Sequence, residues 1–532
     1  MTITGGDAIV ASLRAHGVDT VFGIPGAQLY GLFDAFARDG MRVVTPRHEQ
    51  TCAYMAFGYT RATGNPGVYS VVPGPGVLNT GAALLTAWGC NEPVLALTGQ
   101  VPTAFLGKGR GHLHEMRDQR AVLTGIAKSA ERADGAGEVS AAIAHAFREM
   151  RSLKPGPATV EMPWEQFTAE GEFEIAWPLD LHPDPVADVA IGEAARAIEK
   201  AQRPMIFVGP GAFEARDEVL RLAELLHAPV VAFRSGRGIV SNRHELGLTI
   251  AEARKLWESV DLVIGIGTRL EVPGWRWKQR PDVPVIRLEI DAEELTRTPS
   301  AIGVLGRAKT SLAALLDEIE PRVLVNDWRE AIHKARAETA EAIKEISPHH
   351  GYLQAIRAAL PDDGILVEEV CQAGFASWYC YPVYEPRTFI STGFEGTLGF
   401  GFPTALGVKV ARPNVPVVSI AGDGGFMFAA QELATAAQYG IDVITVVFNN
   451  CAFGNVKRDQ QQAFNGRLIG SELKNPDFEK LASAFHVDFA RVADPADLRK
   501  AIETSMTRGG PWLIEVPLSI ENEVSPWKFI HG

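Results

Sequence analysis

The sequence is short of cysteine. Its five thiols in 532 residues, Cys52, Cys90, Cys371, Cys380 and Cys451, are an odd number with no Cys-x-x-Cys pair, which excludes a disulfide framework and a thiolate zinc site. A reducing compartment, the cytoplasm, is expected. No run of 18 apolar residues occurs, and Met-Thr-Ile-Thr-Gly-Gly-Asp at the start lacks the basic stretch and apolar core of a secretory leader. Neither a membrane span nor export is predicted. Basic residues are outnumbered, 51 against 64 acidic, for a net charge of −13, whereas nucleic-acid partners demand a basic face. Also missing are a Gly-x-Gly-x-x-Gly helix opening with an acid about 20 residues on and a Gly-x-x-x-x-Gly-Lys-Ser/Thr loop, which disfavours nicotinamide and P-loop chemistry.

What is present is a globular composition, 46% apolar and 22% charged, long enough for about three domains of roughly 150 residues each. Helical and strand patterns alternate in three stretches, predicting an α/β protein of three doubly wound, mostly parallel sheets. The expected division is an N-terminal domain over 1–166, a linker over 167–188 marked by Trp-Pro, His-Pro and Asp-Pro pairs, and a central domain over 189–325. A charged, Ala-rich connecting helix over 326–350 and a C-terminal domain over 351–532 follow. An echo between Ile9–Gly23 and Leu433–Phe448, each a helix ending at Gly and then a strand, permits a related fold for the first and last domains.

Glycine clusters at Gly23–Gly26, Gly74–Gly76, Gly209–Gly211 and Gly265–Gly267 read mostly as tight strand-to-helix turns. The cluster Gly422-Asp423-Gly424-Gly425 differs because the apolar strand 417–421 runs straight into it, placing Asp423 at the carboxyl end of a parallel strand, where α/β sheets bind ligands. The next strand, 443–448, ends in Asn449-Asn450. If the two strands are neighbours, a carboxylate and an amide oxygen share one rim, a hard-oxygen set that suits Mg²⁺. Glycine N–H groups and the following helix start suit a phosphate. The rim therefore reads as a Mg²⁺–diphosphate site.

Gly-Asp-Gly, 24 intervening residues, then Asn-Asn resembles the diphosphate-binding motif of thiamine-diphosphate enzymes. Val21–Gly26, Arg47–Gln50, Ser391–Pro403 and Asn475–Phe478 are similar to the acetolactate synthase-like branch of the thiamine-diphosphate decarboxylase superfamily. The resemblance spans nearly the whole chain and is loosest in the middle. It implies thiamine diphosphate and Mg²⁺ as cofactors, with Glu49 as the carboxylate facing the cofactor's pyrimidine nitrogen, a task for a buried acid. It further implies Leu398 as the apolar wedge that bends the cofactor, Gly396 as acceptor of its amine, and Gln372 and Gly26 beside it. Gly422, Asp423, Gly424, Gly425 and Asn450 would cradle the diphosphate, and the metal would take Asp423, Asn450 and the Ala452 carbonyl. In the family, one subunit's first domain serves its partner's last, so a homodimer is the smallest working unit and a homotetramer the common assembly.

The chain also departs from the family. Where related synthases carry Phe-Gln-Glu, this sequence has Leu113-His114-Glu115, about two residues later, so His114, with His112, is a candidate proton carrier. The run Gly454-Asn-Val-Lys-Arg-Asp-Gln460 lacks the tryptophan that shapes the pocket in relatives. Gln28, Leu113, Phe375, Ala376 and Trp378 are further candidates to face substrate. The central domain binds FAD in some members, but here it lacks the fuller arginine-rich set, which disfavours FAD. The expected reaction cleaves or forms the bond beside a carbonyl in a small molecule, as 2-oxo acid decarboxylation with carboligation. A lyase or hydrolase of 2-hydroxy ketones, diketones or 2-hydroxyacyl-CoA, and a non-catalytic cofactor-binding paralogue, are the alternatives.

Overall fold

Strands buried on both faces are near-continuous apolar runs, and Val417–Gly422 and Val443–Asn449 behave accordingly, with every residue but the last of each buried. A computed structural model describes residues 2–185, 188–277, 280–297, 302–320 and 326–531. It holds three six-stranded parallel sheets. The first comprises β1 (Thr20–Gly23), β2 (Arg42–Val44), β3 (Gly67–Val71), β4 (Val94–Gln100), β5 (Ser129–Arg132) and β6 (Ala158–Pro163), in the order β2-β1-β3-β4-β6-β5. The central sheet comprises β7 (Pro204–Val208), β8 (Val230–Ala232), β9 (Gly247–Leu248), β10 (Leu262–Ile266), β11 (Val285–Glu289) and β12 (Ile302–Leu305), ordered β9-β8-β7-β10-β11-β12. The last comprises β13 (Ile365–Val367), β14 (Phe389–Ile390), β15 (Val417–Gly422), β16 (Val443–Asn449), β17 (Asp488–Arg491) and β18 (Trp512–Pro517), ordered β14-β13-β15-β16-β18-β17.

The first and last sheets thus share one connectivity, while the central sheet is wound differently. The echo noted in the sequence is not the cause. Ile9–Gly23 leads into β1, the first strand of its sheet, whereas Leu433–Phe448 leads into β16, the fourth of its own. It is the common helix-to-strand grammar of parallel sheets.

Several strands escape the periodicity pattern for a physical reason. β5 (Ser-Ala-Glu-Arg) and β17 (Asp-Phe-Ala-Arg) are edge strands with partly exposed residues throughout, and β9 and β14 are two-residue edges. β5 and β17 carry no apolar run because neither is enclosed, and β9 and β14, although buried, are too short to show a period.

Four helices position the site: α1 (Glu49–Thr63), α2 (Pro75–Cys90), α3 (Gly401–Ala411) and α4 (Gly454–Ala463). α1 and α3 cross closely because glycines stand where they meet. A Cβ on Gly58 would lie 2.2 Å from the Thr404 carbonyl oxygen, and one on Gly407 would lie 2.0 Å from that of Met55. One apolar cluster therefore runs from Met55 and Phe57 to Phe400 and Phe402 across the first and last domains. The charged helix Asn326–Ala342 lies on the central domain, where Arg336 donates to the carbonyls of Asn242, His244 and Glu245 at 2.8, 2.6 and 2.9 Å. Within the stretch read as a linker, Glu170–Gly171 pairs antiparallel with Ile3–Thr4, and residues 172–185 hold neither helix nor strand.

Candidate active site

β15 and β16 are parallel neighbours with Gly422 opposite Phe448, so Asp423 and the two asparagines stand on one rim. Asp423 opens a short helix, Asp423–Phe426, and is 1% exposed. Burial pushes its carboxyl up, opposed by donors from Asn475 and from the main chain at Gly424, Asp423 and Asn450. Asn475 Nδ2 donates to Asp423 Oδ2 at 2.6 Å and to Asn449 Oδ1 at 2.9 Å. Asn475 was visible only as part of a family motif. Its place at the rim is a tertiary fact, since 52 residues separate it from Asp423. Asn450 Nδ2 donates to Glu523 Oε1 at 2.9 Å, and its Oδ1 accepts from the Ala452 N–H at 3.1 Å.

A side chain is excluded at Gly424 and crowded at Gly425 and Gly422. A Cβ on Gly424 would meet the Phe453 ring at 2.5 Å, one on Gly425 would meet Glu369 at 3.0 Å, and one on Gly422 would meet Cys371 at 3.1 Å. Gly26 has a packing reason of its own, since a Cβ there would lie 2.4 Å from Val72.

Leu398 is half-buried between Gly396 and Gly399, whose φ angles are +61° and +78°. That conformation belongs to glycine and turns the loop so that Leu398 is not an ordinary core leucine. Glu369 holds this turn: its Oε2 accepts from Gly401 N at 2.8 Å and its Oε1 from Val370 N at 2.9 Å. Burial pushes Glu369 up to about 7. The neighbouring Glu368 is also raised to about 7 by burial, against Arg234, Ser391 and Trp378, whose Nε1 donates to it at 3.0 Å. Sequence reasoning missed both acids, because two adjacent glutamates at a strand end look solvent-facing. Gln372 is 6% exposed; it accepts from Arg458 Nη1 at 3.0 Å and donates to the Val524 carbonyl at 3.3 Å.

Glu49 is the first residue of α1, with His48 as N-cap. Its Oε2 accepts from Asn79 Nδ2 on α2 at 3.0 Å. Asn79 is a further residue the sequence did not single out. Among the described residues no hydrogen bond joins Glu49 or Asn79 to the Asp423 rim.

His114 adopts φ +62° against the Gly74 turn, where a Cβ on Gly74 would sit 2.4 Å from its carbonyl oxygen. Its Nδ1 is buried without a hydrogen-bond partner, as is Gln28 Oε1. Gln28 Nε2 donates to the Leu113 carbonyl at 3.2 Å, and the Leu113 side chain is exposed. His112 instead stacks on Phe105, 4.3 Å between centroids. A metal cluster at His112, His114 and Glu115 does not form, since the Glu115 carboxylate accepts the N–H groups of Gly109, Arg110 and His112, each at 2.9 Å. Phe375 and Trp378 are buried with Trp527 in one aromatic cluster, with centroids 4.8 to 5.8 Å apart, and Ala376 is buried beside them.

These residues fit thiamine diphosphate. The glycines leave main-chain N–H groups uncovered by side chains at the strand end, and the buried Asp423 carboxylate and the Asn449 amide oxygen stand close enough to share one donor, Asn475 Nδ2. Among the described residues no three His, Cys, Asp or Glu side chains gather to hold a metal by themselves, so a cation here would rely on amide, main-chain and phosphate oxygens as well.

Residues 3–122 match the N-terminal TPP binding domain of thiamine pyrophosphate enzymes, 191–315 their central domain and 369–516 their C-terminal TPP binding domain. The chain belongs to the thiamine pyrophosphate enzymes. Its relatives place it in the acetolactate synthase-like branch. It is 32% identical to the probable 2-ketoarginine decarboxylase AruI of Pseudomonas aeruginosa over 528 residues, covering 97% of this chain and 94% of the relative. It is 30% identical to the probable acetolactate synthase large subunit of Methanocaldococcus jannaschii, covering 96% and 91%. The acetolactate synthase large subunit of Haemophilus influenzae is 29% identical, with 95% and 92% covered. The enzyme is thus a thiamine-diphosphate-dependent decarboxylase or carboligase.

The central cleft lies at the carboxyl ends of β7 and β10, lined by Gly209, Gly267, Arg269, Glu289 and Arg307. Its cavity is about 280 Å³, below the ~300–1,000 Å³ of pockets for drug-sized ligands. A second cleft of about 1200 Å³ adjoins it, sharing Leu153, Lys154, Arg269 and Glu294. No helix among the described residues is long and apolar enough to cross a membrane.

Proposed function

We propose that this enzyme binds thiamine diphosphate through Mg²⁺ at Asp423, Asn450 and the Ala452 carbonyl and decarboxylates a 2-oxo acid, joining the remaining fragment to a second carbonyl compound. The observation that carries this reading is the parallel pairing of β15 with β16, which sets Asp423 beside Asn449 and Asn450 above a glycine cradle. When bound, the cofactor supplies the carbon nucleophile and electron sink for breaking the bond beside a carbonyl.

The chain's own part is posture and proton control. Glu49, steadied by Asn79, would hold a proton toward the pyrimidine nitrogen, and the Leu398 turn, fastened by Glu369, would set the cofactor's bend. Arg458 holds Gln372, which would stand beside the diphosphate. A second reading, release of an aldehyde after decarboxylation alone, would use His114 as proton donor, and its support is the buried, unpartnered Nδ1 of that ring. The relatives' names support both readings, one being a 2-oxo acid decarboxylase and others acetolactate synthases.

We also infer a homodimer, paired further into a tetramer. Its support is the apolar surface on both halves of the site: Leu78 and Trp88 of α2, 56% and 50% exposed, and Phe428 beside the Leu398 turn, 53% exposed. The five free thiols fit a reducing compartment, the cytoplasm.

Purified protein with thiamine diphosphate and Mg²⁺ is to be tested against a panel of 2-oxo acids, 2-hydroxy ketones and acyl-CoAs, with CO₂ and products read by mass spectrometry. CO₂ with a longer hydroxy ketone supports carboligation, and CO₂ with free aldehyde supports the second reading. Cleavage of hydroxy ketones without CO₂ would overturn both.

A further inference from the structure

We propose that Glu523 is the positioning residue for the Asn450 amide, making the C-terminal segment part of the metal side of the cofactor site. The inference rests on the Mg²⁺–diphosphate reading above.

A side-chain amide offers either an oxygen or an NH₂, and a cation accepts only the oxygen. The choice must be made by what stands on the other side of the amide. Here that is a carboxylate, which only accepts: Glu523 Oε1 takes the Asn450 Nδ2 hydrogen at 2.9 Å. Turning the amide over would set two oxygens against each other, with the Glu523 side chain only 6% exposed and little water to relieve the clash. On the other face of the group, Oδ1 accepts the Ala452 N–H at 3.1 Å, and the Asn450 main-chain N–H reaches the Asp423 carboxylate. The amide oxygen is therefore turned away from Glu523 and toward the Ala452 main chain.

Glu523 is itself held. Its Oε2 lies 3.7 Å from Nε2 of His349, a side chain 1% exposed whose ring nitrogens have no hydrogen-bond partner. The imidazole packs edge-on against Phe448, 5.5 Å between centroids, one residue before the asparagine pair. The next residue, Val524, donates to the Ser347 carbonyl at 2.9 Å and accepts from Gln372 at 3.3 Å. The segment is thus pinned on both sides, and Glu523 reaches Asn450 from a fixed backbone. A carboxylate behind a metal-ligating group acts by orienting it, and its loss weakens metal affinity by about 10- to 100-fold.

The test is a Mg²⁺ titration of Glu523→Ala, Glu523→Gln and wild type at saturating thiamine diphosphate, with cofactor uptake read by calorimetry and melting measured without Mg²⁺. Glu523→Ala is expected to shift the Mg²⁺ midpoint upward about 10- to 100-fold, with uptake restored by excess Mg²⁺, while the metal-free melting temperature reads separately the cost of leaving Asn450 Nδ2 without its acceptor. Glu523→Gln, which keeps an oxygen that accepts the Nδ2 hydrogen, is expected to lie between the two. If Glu523→Ala fails to fold, Glu523→Asp, with its carboxylate set back by one methylene, carries the same expectation of a raised midpoint. Equal midpoints in the variants and wild type overturn the proposal, as does a defect that excess Mg²⁺ does not restore. A wild type that takes up cofactor without any divalent cation overturns instead the reading of the rim itself.

Discussion

Two carboxylates carry the residue-scale argument. Glu49 stands on a helix end with one side-chain partner, Asn79. Its replacement by Gln keeps the shape and removes the charge, so turnover should fall about 10²- to 10⁴-fold while calorimetry still shows cofactor bound; undiminished turnover would remove Glu49 from the mechanism. Glu369 is a different kind of acid, fully enclosed and raised by burial from 4.5 to about 7. The folded chain keeps a proton that the unfolded chain gives up above pH 4.5, so this group's cost to folding is absent at low pH and grows as pH rises toward 7. Glu369→Gln stays neutral, so its stability relative to wild type should improve between pH 4.5 and 7 by roughly 1–3 kcal/mol in urea melts. A pH-independent difference would show that the carboxyl is not raised.

At the scale of elements, the α1–α3 crossing joins the domain of Glu49 to the domain of Asp423 in one chain. Contact there is backbone to backbone, because Gly58 and Gly407 have no side chain to keep the helices apart. Gly58→Ala would drive a methyl to 2.2 Å from the Thr404 carbonyl oxygen, an obstacle that cannot rotate away. The expected cost is about 1–3 kcal/mol, toward the upper end, in denaturant unfolding; wild-type stability would mean that the helices part easily. The same scale shows what pattern reading recovers. Enclosed strands such as β15 and β16 were legible as apolar runs. The edge strands β5 and β17 were not, since an exposed edge selects for no such run.

For the whole molecule, the open question is how many chains build one site. Glu49 and Asp423 belong to sheets of the same connectivity, and no hydrogen bond among the described residues links them. A site shared between partners predicts complementation. Mixed Glu49→Gln and Asp423→Ala chains, each inactive alone, should recover about a quarter of wild-type activity, because half the dimers then carry one intact site of two. No recovery, with mixed dimers shown by mass, would place each site within a single chain.

The sequence by itself pointed to thiamine diphosphate and to a strand, glycines and acid in one run, because that part of a diphosphate site is local: the three must be contiguous for the backbone to approach a phosphate. It likewise determined the number of sheets and the class of reaction. Only the tertiary structure decided which distant groups complete that site. Asn475, Glu369, Arg458 and Glu523 reach it from other turns of the chain, and Asn79 reaches Glu49. It also showed that Phe375 and Trp378 pack under Trp527 in an aromatic cluster. Burial and orientation arise from packing between elements, and a residue's neighbours along the chain do not encode them.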